Sequence, residues 1–208
     1  GFFSLSRDSA FKSLLKSLES VENADIEVPE SLRLIMRNYQ KTGFRWLKML
    51  KENGFGGILA DDMGLGKSLQ VIALLLEERS TALIVCPTTL MLNWVGEIEK
   101  FAPSLKTLAV MGSQEERREC IARAADYDVV ITSYDLIRRD HELYENITFD
   151  YAIADEAQFI KNPETKNAVA VKKIKAKHRF ALTGTPVENN LGELWSIFDF
   201  IMPYYLGS

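Results

Sequence analysis

Several things are scarce in this sequence, and each scarcity excludes something. Only two cysteines occur, Cys86 and Cys120, in no metal-type spacing; one pair in a chain this size is no disulfide framework, so a reducing compartment is the default expectation. Long apolar runs are missing. Val71 to Leu76 and Ala82 to Cys86 fall far short of the roughly 20 residues a membrane helix requires, so no membrane partner is expected. Positive charge is not in excess: 25 Lys and Arg face 29 Asp and Glu, giving a net charge of −4. That balance disfavours a broad basic surface for coating nucleic acid, and any such contact must be local. Internal repeats and low-complexity tracts are absent. So are an initiator Met and a cationic, apolar leader, and no targeting signal is readable. The chain is expected to be a piece of a longer protein, with a cytoplasmic location, nucleoid-associated if the source is bacterial.

What is present describes a chain that folds. Hydrophobic residues make up 47% and charged residues 26% of the 208 positions, which is globular composition. The length suits one domain, or one domain with a docking segment. Residues Ser6 to Ser20 carry Phe11, Leu14, Leu15 and Leu18 at helical spacing, which predicts an amphipathic helix. A linker and a Pro-marked new start at Val28-Pro29-Glu30 follow, so 1–28 reads as the tail of a preceding region and 29–208 as the main domain. An entry helix is predicted over Arg37 to Glu52, stopped by Asn53-Gly54.

Short apolar segments then alternate with polar or helix-patterned ones: Gly57–Ala60, Ala82–Cys86, Thr107–Met111, Val129–Thr132, Tyr151–Ala154 and Phe180–Thr183. Nearly continuous apolar strands linked by crossovers are what a parallel sheet covered on both faces produces, so an α/β three-layer domain is expected. The charged cluster Glu115 to Glu119 reads as a solvated helix face. So does the basic stretch Lys172, Lys173, Lys175, Lys177 and Arg179, whose alternative is a surface facing DNA.

Chemistry gathers at three strand ends. After the first comes Asp61-Asp62-Met63-Gly64-Leu65-Gly66-Lys67-Ser68, then an apolar helix-like run. Gly64 and Gly66 let backbone N–H groups curl around phosphate oxygens, and the next helix points its positive end at the same place. Lys67 adds a charge for the β/γ-phosphates, and the Ser68 hydroxyl suits Mg²⁺. The usual pattern places Gly where Asp61 stands, so the strand–loop–helix context carries this reading. After the fifth predicted strand, Asp155-Glu156-Ala157-Gln158 supplies two carboxylates: Asp155 suits metal binding, and Glu156 suits taking the proton of an attacking water. Alone, such a pair also serves to cap a helix. After the sixth comes Leu182-Thr183-Gly184-Thr185-Pro186.

Taken with Val85-Cys86-Pro87 through Trp94 and Ile131-Thr132-Ser133-Tyr134, these blocks resemble, in order, the Swi/Snf-type ATPases of helicase superfamily two. The resemblance covers about Leu34 to Ser208 and is to the bacterial type of member. It implies a RecA-like amino-terminal lobe with a P-loop and a DEAQ box, using ATP and Mg²⁺. Gln40 matches the adenine-binding glutamine; Met63, Gly64, Leu65, Gly66, Lys67 and Ser68 match the phosphate loop. Pro87, Thr88, Thr89, Thr132 and Ser133 match blocks that touch the backbone of duplex DNA, although hydroxyl residues after a strand are also ordinary helix caps. Thr183, Gly184 and Thr185 match the element coupling the ATP site to DNA, and Gln158, which stands where many members have His, matches the coupling residue that hydrogen-bonds this element. The family's second lobe, which brings arginines to the γ-phosphate, has no counterpart here. The resemblance therefore implies an ATP-binding lobe of a DNA-dependent ATPase that translocates on duplex DNA or remodels a DNA-bound protein complex, nearly inactive by itself. Two alternatives stay open: a polymerase-remodelling ATPase of the same family, and a nucleotide-binding module that never hydrolyses.

Overall fold

The computed structural model describes residues 26–60, 66–78, 80–184 and 191–203. The helix expected over Ser6 to Ser20, and with it most of the 1–28 segment, lies outside the described residues. Six strands form one sheet: β1 (Gly57–Ala60), β2 (Ala82–Cys86), β3 (Thr107–Ala109), β4 (Val129–Ser133), β5 (Thr148–Ala154) and β6 (Lys175–Thr183). Their order is β1-β6-β5-β2-β4-β3, and every neighbouring pair is parallel. Among the described residues, seven α-helices accompany them: α1 (Asn38–Glu52), α2 (Lys67–Glu77), α3 (Met91–Phe101), α4 (Gln114–Ala122), α5 (Tyr134–Asp140), α6 (Lys166–Lys172) and α7 (Leu191–Ile201).

Strand alternation divides the core in two. Ala82, Ile84, Cys86, Ile131, Ile153 and Leu182 point to one face, where Phe44 and Leu47 of α1, Ile72 and Leu75 of α2, and Trp94 and Ile98 of α3 meet them. Leu83, Val85, Val130, Ala152 and Ala181 point to the other, against Ile121 of α4, Ile137 of α5, Val171 of α6 and Phe200 of α7. With both faces covered, β2 and β4 are buried at all five positions, which is why they read as unbroken apolar runs. Packing onto this core begins by Ile26, whose carbonyl accepts a hydrogen bond from Arg45 Nε at 3.0 Å, and Val28, Leu32 and Met36 are buried in it. No helix among the described residues is long and apolar enough to cross a membrane.

Two charged segments differ from the reading above. The basic stretch is not one helix face: Lys172 ends α6, whereas Lys175, Lys177 and Arg179 lie in β6, which starts five positions before the apolar run. The first half of β6 reaches the hydrated end of the sheet, where exposed and half-buried positions alternate and no apolar signal is required. The cluster Glu115 to Glu119 is on the exposed side of α4 except for Arg117, which is buried. Its guanidinium grips Asp140 at the end of α5 through two bonds (Nε to Oδ2, 2.6 Å; Nη2 to Oδ1, 2.9 Å) and donates Nη1 to the Gly112 carbonyl. Burying an arginine in this way requires that its donors be matched, and here they are.

Candidate nucleotide site and nucleic-acid interface

Strand order decides what meets at the carboxyl ends. Because β6 lies between β1 and β5, the Ala60 end of β1, the Thr183-Gly184 end of β6 and the Asp155-Glu156 end of β5 become neighbours although the sequence separates them widely. The Pro87 and Ser133 blocks follow β2 and β4, on the other side of β5. Asp155 therefore sits at the boundary between the two groups. A crevice at the carboxyl ends of parallel strands is where ligands of open α/β sheets bind.

Of the phosphate loop, Met63, Gly64 and Leu65 lie outside the described residues, and Gly66, Lys67 and Ser68 lie within them. Gly66 precedes α2 in the left-handed region (φ 106°, ψ 9°). A Cβ there would come within 2.0 Å of the Gln40 amide nitrogen and 3.2 Å of the Tyr39 hydroxyl oxygen, so glycine is required twice over. Lys67 opens α2 and is only 6% exposed; Ser68 is half-buried beside it. Gln40 is not the exposed helix residue that pattern alone suggests. It is 7% exposed, its Oε1 accepts the Arg37 N–H at 2.8 Å in a capping box, and its amide nitrogen rests against Gly66. The residue matched to adenine binding thus joins the start of α1 to the loop.

Asp155 is 8% exposed, and each carboxylate oxygen already has one protein donor: Trp94 Nε1–H reaches Oδ2 at 2.8 Å, and the Glu156 N–H reaches Oδ1 at 2.8 Å. Burial raises its affinity for a proton and the Glu156 charge adds to this, while the Trp94 and Glu156 donors and the Lys67 charge oppose it; the net shift is upward. Glu156 has φ +50° and is the one non-glycine residue with positive φ among the described residues, a conformation that costs about 1–3 kcal/mol and concentrates at functional sites. It is half-buried, and its Oε2 accepts from Gln158 Nε2 at 2.6 Å, while Gln158 Oε1 is buried without a partner. Thr183 is buried in register with Ala60, Gly184 is half-buried, and Thr185 lies outside the described residues.

The two blocks matched to DNA are unlike each other. Thr88 and Thr89 are exposed on a single 3-10 turn after the half-buried Pro87, and neither caps a helix with its side chain. Thr132 and Ser133 are buried: the Ser133 hydroxyl accepts the Leu136 N–H at 3.2 Å as the cap of α5. Their hydroxyls are turned inward, which corrects the expectation of a direct hydroxyl contact with a phosphate at that block.

Three residues have roles that escaped the sequence reading, although two of them, Trp94 and Tyr134, lie in its motif blocks. Gln70, buried in α2, donates Nε2 to the Gly66 carbonyl at 3.3 Å, and Gly43 makes room for it. A lone amide within the apolar run Leu69 to Leu76 was the available signal. Trp94 and Tyr134 both hold Asp155, the latter by donating its hydroxyl to the Asp155 carbonyl at 2.5 Å while stacking on Phe159. Pairings across 61 and 21 positions leave no local pattern.

The residues present fit ATP and Mg²⁺. No cluster of three or more His, Cys, Asp or Glu suited to a metal occurs among the described residues, so a dedicated protein cage is absent there. Mg²⁺ bound with a nucleotide needs no such cage, only a carboxylate and a hydroxyl beside phosphates and waters. Asp155 keeps a free lone-pair direction on each oxygen, and Ser68 offers the hydroxyl.

The fold defines a RecA-like α/β domain, with the candidate nucleotide-site residues at its strand ends. The sequence profile of the SNF2-related domain matches residues 39–208, and the chain belongs to that family of helicase-like ATPases. It is 36% identical to the TATA-binding protein-associated factor mot1 of Aspergillus fumigatus over 97% of its own length and 12% of that protein's. It is 41% identical to an uncharacterized ATP-dependent helicase of Mycoplasma pneumoniae, over 93% of this chain and 20% of the helicase. Among solved structures, the SWI2/SNF2 ATPase core of Sulfolobus solfataricus in complex with dsDNA superposes with a TM-score of 0.75 at 44% identity, covering 83% of this chain and 36% of that one. The chain thus spans well under half of each of these proteins.

Proposed function

We propose that this chain is the ATP-binding lobe of a DNA-dependent ATPase that translocates on duplex DNA or remodels protein–DNA complexes, coupling hydrolysis to motion. The observation that carries the reading is the gathering of Gly66-Lys67, Thr183-Gly184 and Asp155-Glu156 behind three adjacent strand ends, with Lys67, Thr183 and Asp155 all buried. In this reading Lys67 and the first turn of α2 hold phosphate, and Gln40 closes the loop from the adenine side. Ser68 and Asp155 would hold Mg²⁺, which when bound neutralises phosphate charge. Glu156, half-exposed and presented by a strained backbone, takes the proton of the attacking water; Gln158 holds its carboxylate in place. Thr183, Gly184 and Thr185 carry the state of the nucleotide across the sheet. Duplex DNA is contacted through its backbone by Thr88, Thr89 and neighbouring groups, without sequence preference.

A second RecA-like lobe in the full-length protein supplies the opposite wall of the cleft. Arginines delivered to the transferred phosphate contribute about 10³ to 10⁵ in rate in comparable reactions, so the isolated lobe is expected to be nearly inactive. Similarity to a TATA-binding protein-associated factor supports action on a DNA-bound protein complex. The test is phosphate release by the full-length protein with and without duplex DNA. Stimulation by DNA, abolished in Glu156→Gln, is the expected result. Nucleotide binding with no turnover under either condition would favour a non-hydrolysing module and overturn the proposal.

A further inference from the structure

We propose that Trp94 is a positioning residue for the metal-binding carboxylate: its indole N–H sets the direction in which Asp155 presents its free lone pairs. The proposal rests on the reading of Asp155 as a metal ligand and adds a residue to it.

The geometry is specific. Trp94 lies in the first turn of α3, directly after the Thr88–Leu90 turn, and its ring is buried in the core beneath the sheet. A ring packed in that way cannot swing, so its N–H points in one direction only. That direction ends on Asp155 Oδ2 at 2.8 Å. The other oxygen, Oδ1, is held by the Glu156 N–H at the same distance. Two donors on two different oxygens fix the carboxylate plane, and each leaves one lone-pair direction for a cation.

Indole nitrogen is a donor with no acceptor capacity, so it matches a carboxylate oxygen and rejects an O–H at that position. The same carbonyl end of β5 is gripped from the opposite side, where Tyr134 donates to the Asp155 carbonyl. Among the described residues, the side chains that bond Asp155 thus come from the units that follow β2 and β4. Outer groups that orient a metal ligand typically matter by about 10- to 100-fold in metal affinity.

The experiment uses the full-length protein and a fluorescent ATP analogue, titrated with Mg²⁺ and also bound without it. Four forms are compared: the unaltered protein, Trp94→Phe, a form with benzothienyl-alanine at position 94, and Asp155→Asn. Benzothienyl-alanine keeps the bicyclic shape and lacks the N–H, so it separates the hydrogen bond from packing should Trp94→Phe loosen the fold. Both N–H-deficient forms are expected to need about 10- to 100-fold more Mg²⁺ for half-maximal binding, with unchanged metal-free nucleotide affinity. Asp155→Asn should show at least as large a shift. A shift in Asp155→Asn with none in the benzothienyl-alanine form overturns the role of Trp94 and leaves the metal reading standing. No shift in Asp155→Asn removes the metal reading, and this inference with it.

Discussion

Both ends of the sheet carry polar side chains, and the two sets are placed differently. At the amino ends, a cleft of about 690 Å³ is lined by Lys172, Lys173, Lys175, Lys177, His178 and Arg179. Lys177 pairs with Asp150 at 3.1 Å while 66% exposed, Lys172 pairs with Asp199 at 3.0 Å, and Arg179 donates to the carbonyls of Lys172 and Ile174. The lysine pairs sit near water and cost little to keep, whereas Arg179 is buried with donors on those carbonyls. At the carboxyl ends Lys67, Asp155, Thr183 and Gln40 are all buried, Glu156 is strained, and Gln158 and Gln70 each leave a buried carbonyl oxygen unmatched. Neither cleft size nor charge marks the working end. Unmatched buried atoms do not mark it by themselves either, since His178 Nδ1 and Tyr151 Oη at the amino ends also lack a partner. What sets the carboxyl ends apart is Lys67, Asp155 and Gln40 buried together beside a residue with strained backbone, an arrangement that costs stability and persists where it serves a task.

The sharpest way to break this comparison is to alter one group at the carboxyl ends whose change leaves the fold alone. Glu156→Gln is expected to retain Mg²⁺-dependent nucleotide binding in the full-length protein and to lose about 10²- to 10⁴-fold in turnover. Single-turnover hydrolysis alongside equilibrium binding checks both halves. Equal losses in binding and rate would show that Glu156 holds the nucleotide and is not the base.

Two glycines then set the ends against each other directly. Gly54 and Gly66 both have positive φ, but a Cβ at Gly54 meets nothing within 4 Å, whereas at Gly66 it collides with Gln40. Gly54→Ala should cost about 1–2 kcal/mol for the left-handed backbone alone. Gly66→Ala should cost that and in addition dislodge Gln40, weakening nucleotide binding. Denaturant unfolding of both variants measures the difference, and equal costs would mean that Gln40 yields without resistance.

How much of this was legible in the sequence follows from the same contrast. The parallel α/β architecture was readable because strands buried on both faces leave unbroken apolar runs, as at Ala82–Cys86. The start of β6 was not, since Lys175, Lys177 and Arg179 alternate at a hydrated end where burial asks nothing of them. The phosphate loop, the carboxylate pair and the Thr-Gly block were visible as local motifs, each built by consecutive residues at a strand end. What could not be read was how side chains distant in sequence bind those motifs: Trp94 and Tyr134 on Asp155, Gln70 on the Gly66 carbonyl, Arg117 on Asp140. The inward turn of Thr132 and Ser133 was likewise hidden, because a hydroxyl that caps a helix and one that meets a phosphate look the same in a sequence.

Smaller effects are expected at the amino ends. Lys177→Gln removes an exposed ion pair and should change stability by about 0–1 kcal/mol, with turnover unaffected. A marked loss of DNA-stimulated turnover in this variant would show that the basic cleft takes part in function and would undo the contrast.

The least effect, and the one most specific to the contrast, is in pH dependence. Burial pushes the proton affinity of His178 down, the Lys51 charge and then that of Lys177 do the same, and Glu78 and Asp150 oppose them. The folded protein therefore binds a proton at His178 less readily than the unfolded chain, whose histidine titrates near 6.5. Stability from keeping this ring neutral is present above that pH and is lost as the pH falls below it. Asp155 has the opposite sign: its folded carboxyl holds a proton more tightly than the unfolded one, so its contribution is present in acid and lost as the pH rises through its folded value. Acidification from about pH 7.5 to 5.5 spans the titration of the unfolded histidine, so the loss of stability expected there acts through His178. Thermal melting of the unaltered protein and of His178→Phe across the window checks this, because the aromatic packing on Tyr151 is kept while the titrating group is removed. A shallower fall in melting temperature for the variant is the expected result, and parallel curves would mean that other groups at the amino ends carry the acid sensitivity.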